Sequence, residues 1–301
     1  MRTRWIVNGL LAAGVVALAA LFWFSRTAPE PEPQPVSRVT GDAIHHMTVR
    51  YGNHLVELSR DNPQSPWRMT TPINARPDPA RVDALLQFAA AVPERRYARD
   101  GIDPATTGVA DPVLTVRYND QAPIAIGNPG PTSRRHYVRT AHALLLVAVP
   151  DIADPASNGL NYVDPQLLAP DDRLTRLTLP RMTLKKADDG TWQAAPAAQA
   201  GDRVATRATV RAWQHATARS VVAADAARAR IARVTLGFSD APTRHLDVIA
   251  RTPELILRDP ERDIDYHLAP NHAPPMLDMQ HPESLGRNRR SKSRIPLTDS
   301  R

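Results

Sequence analysis

The chain contains no cysteine, and only Lys185, Lys186 and Lys292 of its 38 lysine and arginine residues are lysine. The first absence removes disulfides, thiolate metal ligands, cysteine nucleophiles and iron–sulfur clusters together. It leaves the compartment open, because a cysteine-free chain cannot mispair in an oxidising space. The second leaves 35 arginines, which fits a GC-rich coding sequence better than selection for phosphate binding. Also missing are a phosphate loop, a dinucleotide fingerprint, a nucleophile elbow and a metalloprotease helix. No catalytic, cofactor-binding or metal residue is therefore assigned, no cofactor is expected, and the expectation is a non-enzymatic protein. What is present is ordinary globular material: 42% hydrophobic and 23% charged residues over 301 positions, with 13 glycines and 29 prolines. That supports a packed core and two modest domains or one large one.

The net charge of +7 reads as a nucleic-acid signal until it is divided along the chain, since polyanion binding needs the charge on one surface. Residues 1–43 carry +1, residues 283–301 carry +4, and the remaining 239 hold only +2. No nucleic-acid partner is expected.

Residues 5–24, from Trp5 to Phe24, hold no charge. At 1.5 Å per residue such a helix spans about 30 Å, the thickness of bilayer hydrocarbon. Trp5 at one end and Phe22, Trp23 and Phe24 at the other place aromatics at both interfaces. The Ala17-Leu18-Ala19 triplet resembles a signal-peptide cleavage site, but the apolar run continues past it, so an uncleaved anchor is expected. Arg2 and Arg4 precede the run and Arg26 stands alone after it, which keeps the N-terminus in the cytoplasm and exports the rest. The expected location is a bacterial inner membrane, single-pass, with a periplasmic body. Prolines at every second position from Pro29 to Pro35 favour an extended spacer that holds that body about 25–30 Å off the bilayer.

The body reads as a repeat. Met47-Thr48-Val49, Val56-Glu57-Leu58 and Trp67 parallel Leu177-Thr178-Leu179, Met182-Thr183-Leu184 and Trp192. A helix follows each Trp. Asp78 caps the first, Pro79 opens it, Val82, Leu85, Leu86, Ala89 and Val92 recur at helical spacing, and Pro93 stops it. Thr206 is the expected cap of the second, whose Ala208, Val210, Ala212 and Trp213 match Ala80, Val82, Ala84 and Leu85 at an offset of 128. The run 114–120 matches 234–240, and later strands are expected at 123–127, 136–140 and 143–149, then 244–249, 254–258 and 264–268. Strands that follow one another in sequence predict antiparallel sheets, each with a helix on one face. The expected fold is α+β: a cytoplasmic stub and transmembrane helix (1–26), a Pro-rich linker (27–43), two tandem units (44–170 and 171–282) and a disordered basic tail (283–301).

Taken with Trp67-Arg68-Met69-Thr70-Thr71-Pro72, the helix from Asp78, Asp100-Gly101-Ile102-Asp103-Pro104, Ile124-Ala125-Ile126-Gly127 and Tyr137-Val138-Arg139, the order resembles domain-of-unknown-function family 4340. The resemblance covers residues 45–170 well and continues to about 270. Its members carry one N-terminal membrane helix. The resemblance implies an accessory protein without an established biochemical role, with subunits of an ABC-type transporter as partners.

Other constellations have plainer readings. His45-His46 with His54, and His267, His272 and His281, lack metal-ligand spacing, because adjacent residues on a strand face opposite ways. Arg134-Arg135-His136-Tyr137 is a hairpin that reads as a solvated turn ahead of a grip on an acidic partner. Trp67 and Trp192, equivalent in the two units, read as core residues ahead of sugar-stacking platforms. Six Asp-Pro steps, among them Asp103-Pro104 and Asp259-Pro260, read as turn initiators. The expectation is an envelope accessory protein. The alternative is a cell-wall glycan-binding or hydrolytic module, which needs a cleft between the units lined by paired carboxylates and an exposed Trp.

Overall fold

The computed structural model describes residues 13–20, 34–99, 101–131, 135–150, 152, 158–196 and 203–278. Residues 13–20 are helical and exposed, while the rest of the 5–24 run and the basic tail lie outside the described residues. No helix among the described residues is long and apolar enough to cross a membrane.

The first unit runs β1 (His46–Tyr51), β2 (His54–Ser59), β3 (Arg68–Thr71), α1 (Pro79–Ala90), β4 (Arg95–Ala98), α2 (Pro104–Thr107), β5 (Leu114–Tyr118), β6 (Ile124–Pro129), β7 (His136–Arg139) and β8 (Ala143–Val147). The second runs β9 (Leu174–Thr178), β10 (Thr183–Lys186), β11 (Trp192–Ala195), α3 (Arg203–Gln214), β12 (Ser220–Ala223), β13 (Ala232–Phe238), β14 (Arg244–Ala250), β15 (Leu255–Asp259) and β16 (Ile264–Leu268), closed by α4 (Ala273–Leu277). Each unit is one eight-stranded antiparallel sheet. The orders are β3-β2-β1-β5-β6-β7-β8-β4 and β11-β10-β9-β13-β14-β15-β16-β12, the same topology with every strand number raised by eight.

Alternation builds the core. Met47, Val49 and Tyr51 of β1 and Leu246 and Val248 of β14 turn inward with one residue between them. The helix then crosses that inner face, because the connection from third to fourth strand must travel from one edge of the sheet to the other. Asp78 caps α1 by accepting from the Ala80 amide at 2.9 Å, and Val82, Leu85, Phe88 and Ala89 are buried beneath it. Tyr118 ties the helix to β5 by donating its hydroxyl to the Leu85 carbonyl at 2.7 Å. Burial, with Tyr162 nearby, pushes the Tyr118 phenol far above its ordinary value, so it stays a donor. In the second unit Trp213 plays the bracing part, with its Nε1 donating to the Met276 carbonyl of α4 at 2.8 Å.

Three expectations are corrected. Thr206 does not cap α3: the helix starts at Arg203, and Thr206 is buried inside it because it falls on the stripe shared with Thr209, Val210 and Trp213. The two 12-residue helices therefore align at an offset of 124. The ladders also move the first strands by two residues. Val49 pairs with Val56 and Val116, and Leu177 pairs with Leu184 and Leu236, so Leu177 is the counterpart of Val49 and not of Met47. Finally, β4 and β12 were not foreseen. They are four residues long, without alternation, and their pairing with β8 and β16 is long-range.

Candidate functional site

The two units meet at a strap, residues 162–167, that is bonded to both. On one side the Asp78 amide donates to the Tyr162 carbonyl at 2.7 Å and the Asp164 amide to the Arg76 carbonyl at 2.9 Å. On the other the Leu167 amide donates to the Ala216 carbonyl at 3.1 Å and the Ala218 amide to the Pro165 carbonyl at 2.9 Å. The strap thus pairs with the segment before α1 and with the segment after α3.

Three arginines lace this backbone seam. Arg76 donates Nε to Asp164 Oδ2 at 2.7 Å and Nη2 to the Gln166 carbonyl at 2.9 Å. Arg244, at the start of β14, donates Nη1 to the Leu167 carbonyl at 2.6 Å and Nη2 to Asp259 Oδ2 at 2.9 Å. Its guanidinium carbon lies 5.8 Å from the centre of the Tyr266 ring. Arg262 donates Nη1 to the same Asp259 oxygen at 2.7 Å and Nε to the Asn74 carbonyl of the first unit at 3.2 Å. Asp259 has no exposed side-chain surface, and two guanidinium groups are what such a carboxylate requires. Burial works against the charge on Arg244, but Tyr266 and Asp259 outweigh it and hold its pKa above the ordinary arginine value.

The Asp-Pro steps do more here than initiate turns. In both Asp164 and Asp259, Oδ1 accepts a main-chain amide two residues on, from Gln166 at 2.8 Å and Glu261 at 3.1 Å, while Oδ2 holds arginine. Asp103, by contrast, is a plain helix cap on the Ala105 amide at 3.0 Å. The sequence signal for Asp164 and Asp259 was the Pro after each. Their arginine partners stand 88, 15 and 3 positions away and carry no motif.

The seam walls a cleft of about 310 Å³ lined by Arg76, Arg244, Arg262, Asp164, Asp172 and Glu261, among others. With Asp259 behind it, three arginines face four carboxylates, so no surplus positive charge is left to hold an anion. Asp164 and Asp259 are committed to arginine, and neither Trp67 nor Trp192 lines the cleft. Both tryptophans are half-buried against the core, Trp67 just ahead of β3 and Trp192 as the first residue of β11. The ladders set Trp192 at the place of Met69, so the two are not equivalent positions. The Arg60 guanidinium covers Trp67 at 4.8 Å.

The remaining candidates are dispersed. His267 meets Glu254 at 2.7 Å, His45 the Ala43 carbonyl at 3.3 Å, and His54 tilts on Tyr51, while His281 lies outside the described residues. Among the described residues no three metal-ligating side chains gather. Arg135 is paired with Glu94 at 2.6 Å, His136 meets the Gly127 carbonyl at 3.0 Å, and Arg134 lies outside the described residues.

The strap and Arg76 lie inside a stretch, residues 67–234, that matches the family model described as a domain of unknown function, DUF4340, while Arg244, Asp259 and Arg262 lie beyond its end. The chain belongs to the DUF4340 family. The match begins at Trp67 and ends inside β13, so it is narrower at both ends than the resemblance drawn from the motifs. No curated protein and no solved structure matches this DUF4340 chain.

Proposed function

We propose that the chain is a non-enzymatic accessory protein, anchored in a bacterial inner membrane by residues 5–24, whose periplasmic body docks on a membrane complex. One observation supports this reading above others: the end of the Pro-rich spacer is built into the first unit. The Val36 amide donates to the Ala91 carbonyl at 3.0 Å and the Ser37 amide to the Ala89 carbonyl at 2.9 Å, and both residues are buried. A tether bonded in this way passes its orientation to the first unit, and the strap passes it to the second. An oriented body held near the bilayer meets membrane partners at raised effective concentration and with less freedom to lose on docking. The partner class, subunits of an ABC-type transporter, rests on the family resemblance alone.

Protease added to spheroplasts is expected to remove the body and leave an anchored stub. Crosslinking in native membranes is expected to recover transporter subunits. Full protection of residues 44–282 overturns the topology. Turnover of cell-wall glycan fragments that is lost on an Asp-to-Asn change overturns the non-enzymatic class.

A further inference from the structure

The fourth strands of the two sheets occupy the same position and differ in what lies beyond them. Each pairs on one side only, β4 with β8 and β12 with β16. β12 lies close to the turn at Leu160–Tyr162, just ahead of the strap, and the strap pairs through Gln166 with Thr217, three residues before β12. Among the described residues no strand pairs with β4 on its other side, and its residues other than Tyr97 are exposed.

Composition differs in the same direction. The β12 sequence Ser220-Val221-Val222-Ala223 has no charge, whereas Arg95-Arg96-Tyr97-Ala98-Arg99 places three arginines in five residues. Arg95, Arg96 and Arg99 form no ion pair among the described residues, and Arg96 reaches only the Gln34 carbonyl, at 3.2 Å. Charge on an edge strand prevents self-pairing. A second copy laid antiparallel on β4 would set arginine against arginine, so the edge rejects its own kind. A strand bearing carboxylates reverses the sign of that interaction, with open main-chain groups supplying the ladder and guanidinium groups the selection.

We propose that β4 is a docking edge for an extended acidic peptide segment of a partner protein, added to the first sheet as a further strand alongside Arg95, Arg96 and Arg99. The proposal deepens the docking reading above by naming its surface and the partner's chemistry, and it rests on that reading.

The test uses the full chain in phosphatidylcholine nanodiscs and a fluorescein-labelled nine-residue peptide of alternating Glu and Thr, followed by anisotropy. Saturable binding is expected for this peptide and not for its Lys-Thr counterpart. A version N-methylated at alternate amides keeps the charge and loses the ladder, and is expected not to bind. Charge reversal at the edge (R95E, R96E and R99E together) is expected to weaken binding about tenfold, and the matching lysine variant to keep it within about threefold. Hydrogen exchange on the unaltered chain supplies a readout independent of any variant: the β4 amides should slow when the peptide is added. Equal binding by the N-methylated peptide, indifference to charge reversal, unchanged β4 exchange or no saturation each overturns the proposal. So does binding that emerges only after Glu30→Gln with Glu32→Gln, which assigns the edge to this chain's own spacer. Membrane crosslinks that survive charge reversal keep the docking reading and remove the edge from it.

Discussion

On the sheet face turned away from its helix, the first unit buries Ala125 of β6, Leu144 and Leu146 of β8, and Val109 from the segment after α2. The same face of the second unit carries an alternating charge ladder: Arg233, Asp247, Arg258 and Asp265 stand directly opposite one another on β13, β14, β15 and β16. Both arginines grip bidentately, Arg233 on Asp247 at 2.7 and 3.2 Å and Arg258 on Asp265 at 2.7 and 2.9 Å. Each cover demands its own device. The apolar one needs close approach, since a Cβ on Gly127 would stand 2.3 Å from the Thr107 carbonyl oxygen. The charged one needs register, because a slip of one residue on any strand would turn its charge to the core face. Two units of one topology thus share their inner faces, which the helices cover, and diverge where only local complementarity is required.

The sharpest way to break this comparison is to remove one charge of the ladder. Asp265 is nearly inaccessible, and Asp265→Ala leaves Arg258 buried without its partner, at an expected cost of about 3–5 kcal/mol in thermal or urea unfolding. Changing both residues to leucine converts the site to the chemistry of the first unit and should recover most of that loss, since paired apolar replacement of a buried ion pair is often neutral. A double variant as unstable as the single one would show that the two covers are not interchangeable.

The converse test acts on the first unit. Gly127→Ala forces the α2 turn off β6, because the atom in the way is backbone, and is expected to cost about 1–3 kcal/mol. A change below about 0.5 kcal/mol would mean that the turn can shift without loss, and that close approach is not what the apolar cover requires.

These faces also mark how far the sequence could be read. Strands such as β6, β8, β15 and β16 were legible because they are continuous apolar or alternating runs between turn residues. Repetition was legible through the order of hairpin and helix in each unit and through the match of 114–120 with 234–240. Trp67 and Trp192, however, are not the equivalent pair that the sequence suggests: Trp192 pairs with Lys186, the counterpart of Leu58, and Leu58 pairs with Met69. The ladder was not, because Arg233, Asp247, Arg258 and Asp265 lie 7 to 14 residues from their partners and become neighbours only through pairing. The seam hid for the same reason: Asp164 and Asp259 announce turns, and nothing local to them announces Arg76 or Arg244. The short fourth strands carry no periodicity at all, so their place at the sheet edge comes from topology alone.

The smallest expected effect separates the two covers by pH. Burial opposes ionisation of Asp247, but Arg233, with Arg230 at 3.5 Å, outweighs it and holds the carboxyl below its ordinary value. A carboxylate whose pKa is lower folded than unfolded stabilises the protein above the unfolded value, near pH 4, and that contribution vanishes as pH falls through the folded value. Because Arg233 and Arg230 are about half exposed, solvent screening keeps the contribution within about 1 kcal/mol. The stability difference between the unaltered chain and Asp247→Asn should therefore stay constant above about pH 5 and shrink as the pH falls below about 4. The Gly127→Ala difference should stay flat across the same range, because Ala125, Leu144, Leu146 and Val109 do not titrate. Parallel pH dependence of the two differences would mean that the acid response comes from elsewhere in the chain, and the ladder would then be a packing device whose charges contribute nothing beyond their volume.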